Sequence, residues 1–169
     1  QTCALPISAE FLSLLVNGRP RRVLAPSGDM GQALPTRRLH FGFDAMEFAA
    51  AAPDGPLYGA MVSLKDYPLR SVPGMLDGLL RLPFEMVLTE SFAFVDRQTS
   101  LNRMSQALRR LRAADDDAIS LRGELSAAKD DVAAGRAAYG EHHLSILAKT
   151  DTLEELDGAV ANVQSTLAE

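Results

Sequence analysis

The sequence contains no Gly-Lys dipeptide, and so no P-loop, whose lysine must follow a glycine to reach a bound phosphate. Its one cysteine is Cys3, close to the start of the chain. No run approaches the 18 or more apolar residues of a membrane span, and no segment has the order of a secretory signal. These absences exclude P-loop chemistry, a disulfide framework, a thiolate metal site and a helical membrane anchor within these residues. The segment is therefore expected in the cytoplasm.

The first residue is Gln1 rather than methionine, and Glu169 falls inside a helical pattern, so the chain is expected to be a piece of something longer. Gln1 to Ile7 matches, residue for residue, the translation of a widely used sequencing-adapter oligonucleotide, and is read as a non-native scar. On that reading native sequence starts near Ser8 and Cys3 is not native. That leaves no cysteine for a disulfide, a thiolate ligand or a nucleophile.

What is present is ordinary globular material. The 169 residues are 47% hydrophobic and 23% charged, enough for one core or one core with an appendage. The net charge of -5 gives no global attraction to nucleic acid or anionic lipid. From Leu57 to Leu147, β-like runs alternate with helical ones, the order of an ATPase domain, but without its phosphate loop.

Along the chain, Ser8 to Gly18 carries Phe11, Leu12, Leu14, Leu15 and Val16, a short apolar run compatible with helix or strand and closed by Asn17-Gly18. Arg19 to Pro35 reads as an irregular connection, Arg38 to Phe43 as a strand, and Ala49 to Pro56 as a turn-rich loop. Leu57 to Lys65 alternates apolar residues on both sides and suits a strand buried on both faces. Ser71-Val72-Pro73 reads as a helix opening, with Met75, Leu76, Leu79 and Leu80 as its buried face. Phe84 to Val95 is the next strand, and Asp96 an N-cap for the long helical stretch that follows.

That stretch has two apolar stripes. Leu101, Met104, Leu108 and Leu111 form one; Ala118, Leu121, Leu125 and Val132 form another, about one residue out of helical phase. Asp115-Asp116-Asp117 lies between them, suited to cap a new helix. Two helices or one bent helix are expected rather than a rod of about 60 Å. Gly135 and Gly140 bracket a turn, and His142 to Lys149 is a third strong strand. Asp151 with Glu154 resembles a capping box, opening an amphipathic helix with Leu153, Leu156, Val160, Val163 and Leu167 on its apolar side. The fold class is α+β or α/β: a small sheet with crossover helices, and a long bent helix or helical hairpin at about 96–136. Crossovers are right-handed where strands are parallel, and spacing leaves strand order open.

No reactive constellation stands out. His142 and His143 are adjacent, and adjacent residues on a strand point to opposite faces, so they cannot meet one ion; the only other histidine is His40. The arginines fall in two clusters: Arg97, Arg103, Arg109, Arg110 and Arg112 after Asp96, and Arg19, Arg21, Arg22, Arg37 and Arg38 near the start. Phosphate or acidic lipid is their natural ligand, but no aromatic residues are interleaved to stack bases, and Arg103 and Arg110 fall where a solvated face puts them. Asp115 to Asp117 lacks the spacing of a calcium loop. Asp66, Glu85 and Glu90 lie on or beside strands, where a carboxylate pair for acid–base work is one reading and solvated strand ends the commoner one. Ser27-Gly28-Asp29-Met30-Gly31 is glycine-rich but has no lysine, and reads as a plain turn.

A resemblance adds what these residues alone leave open. Tyr58-Gly59-Ala60-Met61-Val62-Ser63-Leu64-Lys65-Asp66-Tyr67-Pro68, Pro73-Gly74-Met75-Leu76, Leu82-Pro83-Phe84-Glu85, Ser91-Phe92-Ala93-Phe94-Val95-Asp96-Arg97 and Gly140-Glu141-His142-His143-Leu144 together resemble the N-terminal region of the CagE, TrbE and VirB ATPases of conjugation and type IV secretion. It extends upstream through Ala9-Glu10-Phe11-Leu12 and Leu39 to Gly42. The order and spacing of these blocks carry it; each alone is weak.

The resemblance implies an oligomeric cytoplasmic ATPase, peripheral to the bacterial inner membrane, whose N-terminal region docks onto inner-membrane components of the secretion channel. It implies residues 8–56 as an irregular and strand-bearing segment and 57–169 as the α/β core of the N-terminal domain. A C-terminal P-loop domain, absent here, would take ATP and Mg. No catalytic, nucleotide-binding or metal-binding residue carries over. A self-standing adaptor or scaffold, and a composite enzyme in which arginines reach a nucleotide held elsewhere, are the other readings. Direct nucleic-acid binding is disfavoured.

Overall fold

A computed structural model describes residues 4–23, 28–68, 71–113 and 119–168. The elements run α1 (Ala4–Asn17), α2 (Met30–Ala33), β1 (Leu39–Phe41), β2 (Met46–Phe48), β3 (Leu57–Ser63), a 3-10 turn (Leu79–Arg81), β4 (Glu85–Phe94), α3 (Arg97–Ala113), α4 (Ile119–Ala133), β5 (Gly140–Thr150) and α5 (Leu153–Ala168). The five strands are ordered β1-β2-β3-β5-β4. β1 with β2, β2 with β3, and β3 with β5 all pair antiparallel. The class is thus α+β, and the parallel alternative falls because each of these pairs runs in opposite directions.

Two compact units share this chain. The first comprises residues 1–89 and 144–169, the second 90–143. In the first, Leu79, Ile146, Ala148, Ala159 and Val163 form the core, ringed by Val62, Leu76, Leu82, Phe84, Met86 and Leu167. Ala60 pairs with Ala148 and Val62 with Ile146, so these four share one sheet face, and α5 lays Leu156, Ala159 and Val163 inward. The amphipathic pattern of α5 holds, except that Leu153 at its start is exposed. Its cap is Thr152, whose Oγ1 accepts from Glu155 N at 3.3 Å, one position beyond the expected Asp151–Glu154 pair. Asp151 is instead drawn to Arg19.

β3 is buried on both faces only at its beginning; Met61 is exposed because β2 has ended by then. β2 itself was hidden in the sequence by its length of three residues. The helix expected from Ser71 is a series of tight turns. Asp77 N donates to Gly74 O at 2.9 Å, Leu79 N to Leu76 O at 3.0 Å and Arg81 N to Gly78 O at 3.2 Å, all three residues apart. Gly74, at φ 82°, and Gly78 weaken an α-helix there. Leu79 alone of the four expected side chains is fully buried, while Met75 and Leu80 are exposed.

α1 is inverted relative to a usual surface helix. Ala9, Ser13 and Asn17, one helical turn apart, are buried, while Ile7, Phe11, Leu12, Leu15 and Val16 are exposed. Gly18, at φ 77°, ends it with its N–H donating to Leu14 O at 2.9 Å, the single-bond left-handed cap.

In the second unit, α3 and α4 pack against each other, so the hairpin is realised. The junction at Asp115–Asp117, and Ala118, lie outside the described residues. Asp96 caps α3 as expected, accepting from Thr99 N at 2.9 Å. Met104 is buried, with Leu101, Leu108 and Leu111 half-buried along the same stripe. α4 closes at Gly135, φ 73°, where Arg136 N donates to Asp131 O at 2.8 Å and Gly135 N to Val132 O at 3.1 Å. That is a Schellman closure, and Arg136 adds an ion pair to Asp131 at 2.7 Å. Phe92 and Phe94 on β4 are exposed and meet edge to face with centroids 4.9 Å apart.

Candidate functional site

Alternation along β5 sends Leu144, Ile146 and Ala148 to one face and Ser145, Leu147 and Lys149 to the other. Lys149 therefore enters a protein interior that its charge would avoid unless matched. Its side chain is only 2% exposed. Nζ donates to the Gly18 carbonyl at 2.7 Å and to Glu85 Oε2 at 3.0 Å. Gly18 O lies at the carbonyl end of α1, where a cation is favoured by the helix dipole. One residue on, Arg19 pairs with Asp151.

These side chains border a cleft of about 440 Å³, to which Leu57, Phe84 and Glu155 also contribute. Its two cations meet three carboxylates, Glu85, Asp151 and Glu155. A phosphate entering here would face all three acids and two cations already engaged. Chemically the cleft is a charge-compensated joint between α1, β5 and the start of β4.

A second polar knot holds the turn after α1. Asn17 Nδ2 donates to Leu34 O at 2.8 Å and Ser13 Oγ at 3.1 Å, while Oδ1 accepts from Thr36 N at 2.7 Å and Arg37 N at 3.3 Å. The buried Ser13–Asn17 stripe of α1 thus fastens the irregular segment to the helix. Neither Lys149 nor Asn17 stood out as a site residue in the sequence. The signal for Lys149 was a lone charge inside a strongly alternating apolar run.

The expected candidates do not assemble. His40 is exposed on β1, its Nδ1 3.6 Å from Glu47 Oε2. His142 and His143 are exposed on β5, in the second unit. Among the described residues no group of three or more His, Cys, Asp or Glu is placed to hold a metal ion. Glu85 is taken by Lys149 rather than by another carboxylate, and Asp66 and Glu90 are exposed. Asp29 of the glycine-rich turn accepts from Gly31 N at 2.9 Å, capping the four-residue α2 with its own carboxylate.

The arginine clusters are divided. Arg19 is held by Asp151. Arg37 Nη1 donates to Gly55 O at 3.1 Å, and its Nη2 lies 3.2 Å from Asp54 Oδ2. Arg103 Nη1 donates to Glu141 Oε1 at 2.6 Å, a hydrogen bond and charge that hold the guanidinium more firmly protonated. Arg97, Arg109, Arg110 and Arg112 are exposed on α3, and Arg21, Arg22 and Arg38 are exposed near the start. At Asp96, hydrogen bonds from the Thr99 side chain and backbone hold the carboxyl below its usual range. Among the described residues no helix is long and apolar enough to cross a membrane.

The model of the CagE, TrbE, VirB family, component of type IV transporter system, matches residues 8–169. The chain is 32% identical over 160 residues to the protein virB4 of Rhizobium radiobacter, covering 95% of this chain and 20% of that protein. It is 35% identical over 138 residues to the type IV secretion system protein virB4 of Bartonella henselae, covering 82% of this chain and 17% of that protein. For the type IV secretion system protein virB4 of Brucella suis the identity is 28% over 145 residues, covering 86% and 17%. The chain spans about a fifth of the length of the curated relatives it matches.

Proposed function

Because this chain belongs to the CagE, TrbE, VirB family of type IV transporter components, we propose that it is the docking and assembly region of a longer ATPase that energises type IV secretion or conjugal transfer. The observation that carries this reading is the inverted α1, whose Phe11, Leu12, Leu15 and Val16 face outward while Ser13 and Asn17 are fixed inside. A helix that turns its apolar side away from its own core is built for contact.

Nucleotide and magnesium, in this reading, are bound elsewhere in the full-length protein. The residues here fit them poorly: the sequence has no Gly-Lys, the glycine-rich turn is capped by Asp29, and the Lys149 cleft carries more acids than cations. The region works at the cytoplasmic side of the inner membrane, with inner-membrane channel components as partners and further copies of the full protein as neighbours.

Two measurements test it. The purified chain should show no ATP turnover above a mock preparation; turnover would overturn the non-catalytic assignment. In cells, the chain should sediment with membranes only when inner-membrane secretion components are co-expressed. Membrane association without them, or none with them, would overturn the docking role.

A further inference from the structure

β4 ends the sheet order β1-β2-β3-β5-β4, so one of its sides carries no strand. In the second unit its last residues, Glu90 to Phe94, are all exposed. Val95 N donates to Tyr139 O at 3.0 Å, and the Ala93 carbonyl lies toward Gly140 of β5. Backbone groups alternate between the two sides of an antiparallel strand, so Glu90, Phe92 and Phe94 turn theirs away from β5. Among the described residues no other backbone group takes them up. The stretch also carries neither proline nor lysine, the residues that commonly guard an edge.

The side chains of Glu90, Phe92 and Phe94 share one face of the strand. Phe92 is 51% and Phe94 78% exposed, and their rings meet edge to face. Opposite charges flank this pair of rings in sequence, Glu90 before it and Arg97, at the start of α3, after it, and both are exposed. Asp96, beside Arg97, is committed to capping α3 through Thr99 N at 2.9 Å. Two antiparallel copies bring the Glu90 end of each strand beside the Arg97 end of the other, whereas two parallel copies oppose Glu90 with Glu90.

We propose that a second copy of this chain pairs with it edge to edge, β4 antiparallel to β4 about a two-fold axis at Phe92. In that register Phe92 exchanges backbone hydrogen bonds with its counterpart and Phe94 with Glu90, and the phenylalanine rings of both copies cover one another. The two Glu90 side chains then stand roughly 13 Å apart along the strands, beyond the screening length of physiological salt. Moving the axis to Ala93 sets Glu90 opposite Asp96, acid against acid, which disfavours that register. An interface this short falls below the about 800 Å² a side of a standard complex, so the pairing is reversible. The inference rests on the reading that copies of the full protein are neighbours, and gives them a contact.

Sedimentation velocity on the purified chain should show a monomer–dimer equilibrium, with amide hydrogen exchange at Phe92 and Phe94 slowing as concentration rises. The double variant Phe92→Lys/Phe94→Lys, at two exposed positions, should keep the circular dichroism of the unaltered chain and weaken the dimer on the order of tenfold. In a Cys3→Ser background, oxidation should join Phe92→Cys to its counterpart, since opposed residues lie within disulfide reach, and should leave Glu90→Cys unjoined at roughly 13 Å. A monomer at every concentration, a dimer unaffected by the double variant, or equal cross-linking of Glu90→Cys would each overturn the pairing. If the full-length protein carrying the double variant self-associates as well as the unaltered one, copies are neighbours through another surface and this edge is not their contact. If the unaltered full-length protein stays monomeric, the reading of neighbouring copies itself fails.

Discussion

Lys149 donates its Nζ to the carbonyl oxygen of Gly18 over 2.7 Å, joining β5 to the end of α1 across 131 residues of sequence. The lysine is interior, while its second partner Glu85 has a side chain 63% exposed. The two ends of the ion pair therefore contribute unequally.

Lys149→Met should cost about 1–3 kcal/mol, because it strips the Gly18 carbonyl of its donor in a place water reaches poorly. Glu85→Gln should cost less than about 1 kcal/mol, since the carboxylate is largely solvated and an amide oxygen still accepts. Urea denaturation of both variants checks the order; a larger loss from Glu85→Gln would mean that the counter-charge, not the helix-end hydrogen bond, holds Lys149 in place.

Asn17→Ala should destabilise by about 2–4 kcal/mol, since it orphans Leu34 O and Thr36 N together. Asn17→Asp should do no better, because its carboxylate keeps the acceptor side while turning a second oxygen toward the Leu34 carbonyl. Thermal unfolding followed by circular dichroism distinguishes this from a surface position, where both changes would be near neutral.

Gly140→Ala should be poorly tolerated. A Cβ there would meet the Phe92 ring and stand 2.7 Å from the Ala93 carbonyl oxygen, which is backbone and has no rotamer to yield. Overpacking of this kind costs about 1–3 kcal/mol. At Gly59 the nearest neighbour is the tip of the Leu147 side chain at 3.0 Å, which can move, so Gly59→Ala should cost less. Equal midpoints for the two variants would contradict the distinction.

Asp96 gives an acid signature. Its pKa is lowered from 3.8 in the folded chain by Thr99. A carboxyl depressed on folding contributes stability that is present above its unfolded value and is lost as pH falls through the lower, folded value. The stability gap between the unaltered chain and Asp96→Ala should thus stay constant at neutral and mildly acidic pH, then close below 3.8. A gap that instead widens on acidification would show that Thr99 does not favour the charged form.

What the sequence reveals is what neighbours in sequence settle. The alternation from His142 to Lys149, the stripe Leu101–Met104–Leu108–Leu111 and the Asp96 cap each depend on a few adjacent residues, and each stands in the structure. The same local logic fails where competing signals are closely spaced. Gly74 and Gly78 turn an apparent helix into tight turns, and Thr152 displaces Asp151 as the cap by one position.

The blocks from Tyr58 to Leu144 likewise carry the family in their order and spacing, a property of the sequence alone. Tertiary structure decided the rest: that the sheet is antiparallel, that Lys149 is interior, that α1 faces its apolar side outward, and that β3 outruns β2. Each of these depends on which distant segment arrives to pair or cover. Periodicity within a segment fixes the direction in which its side chains point, but the free energy of burial belongs to the partner that meets them.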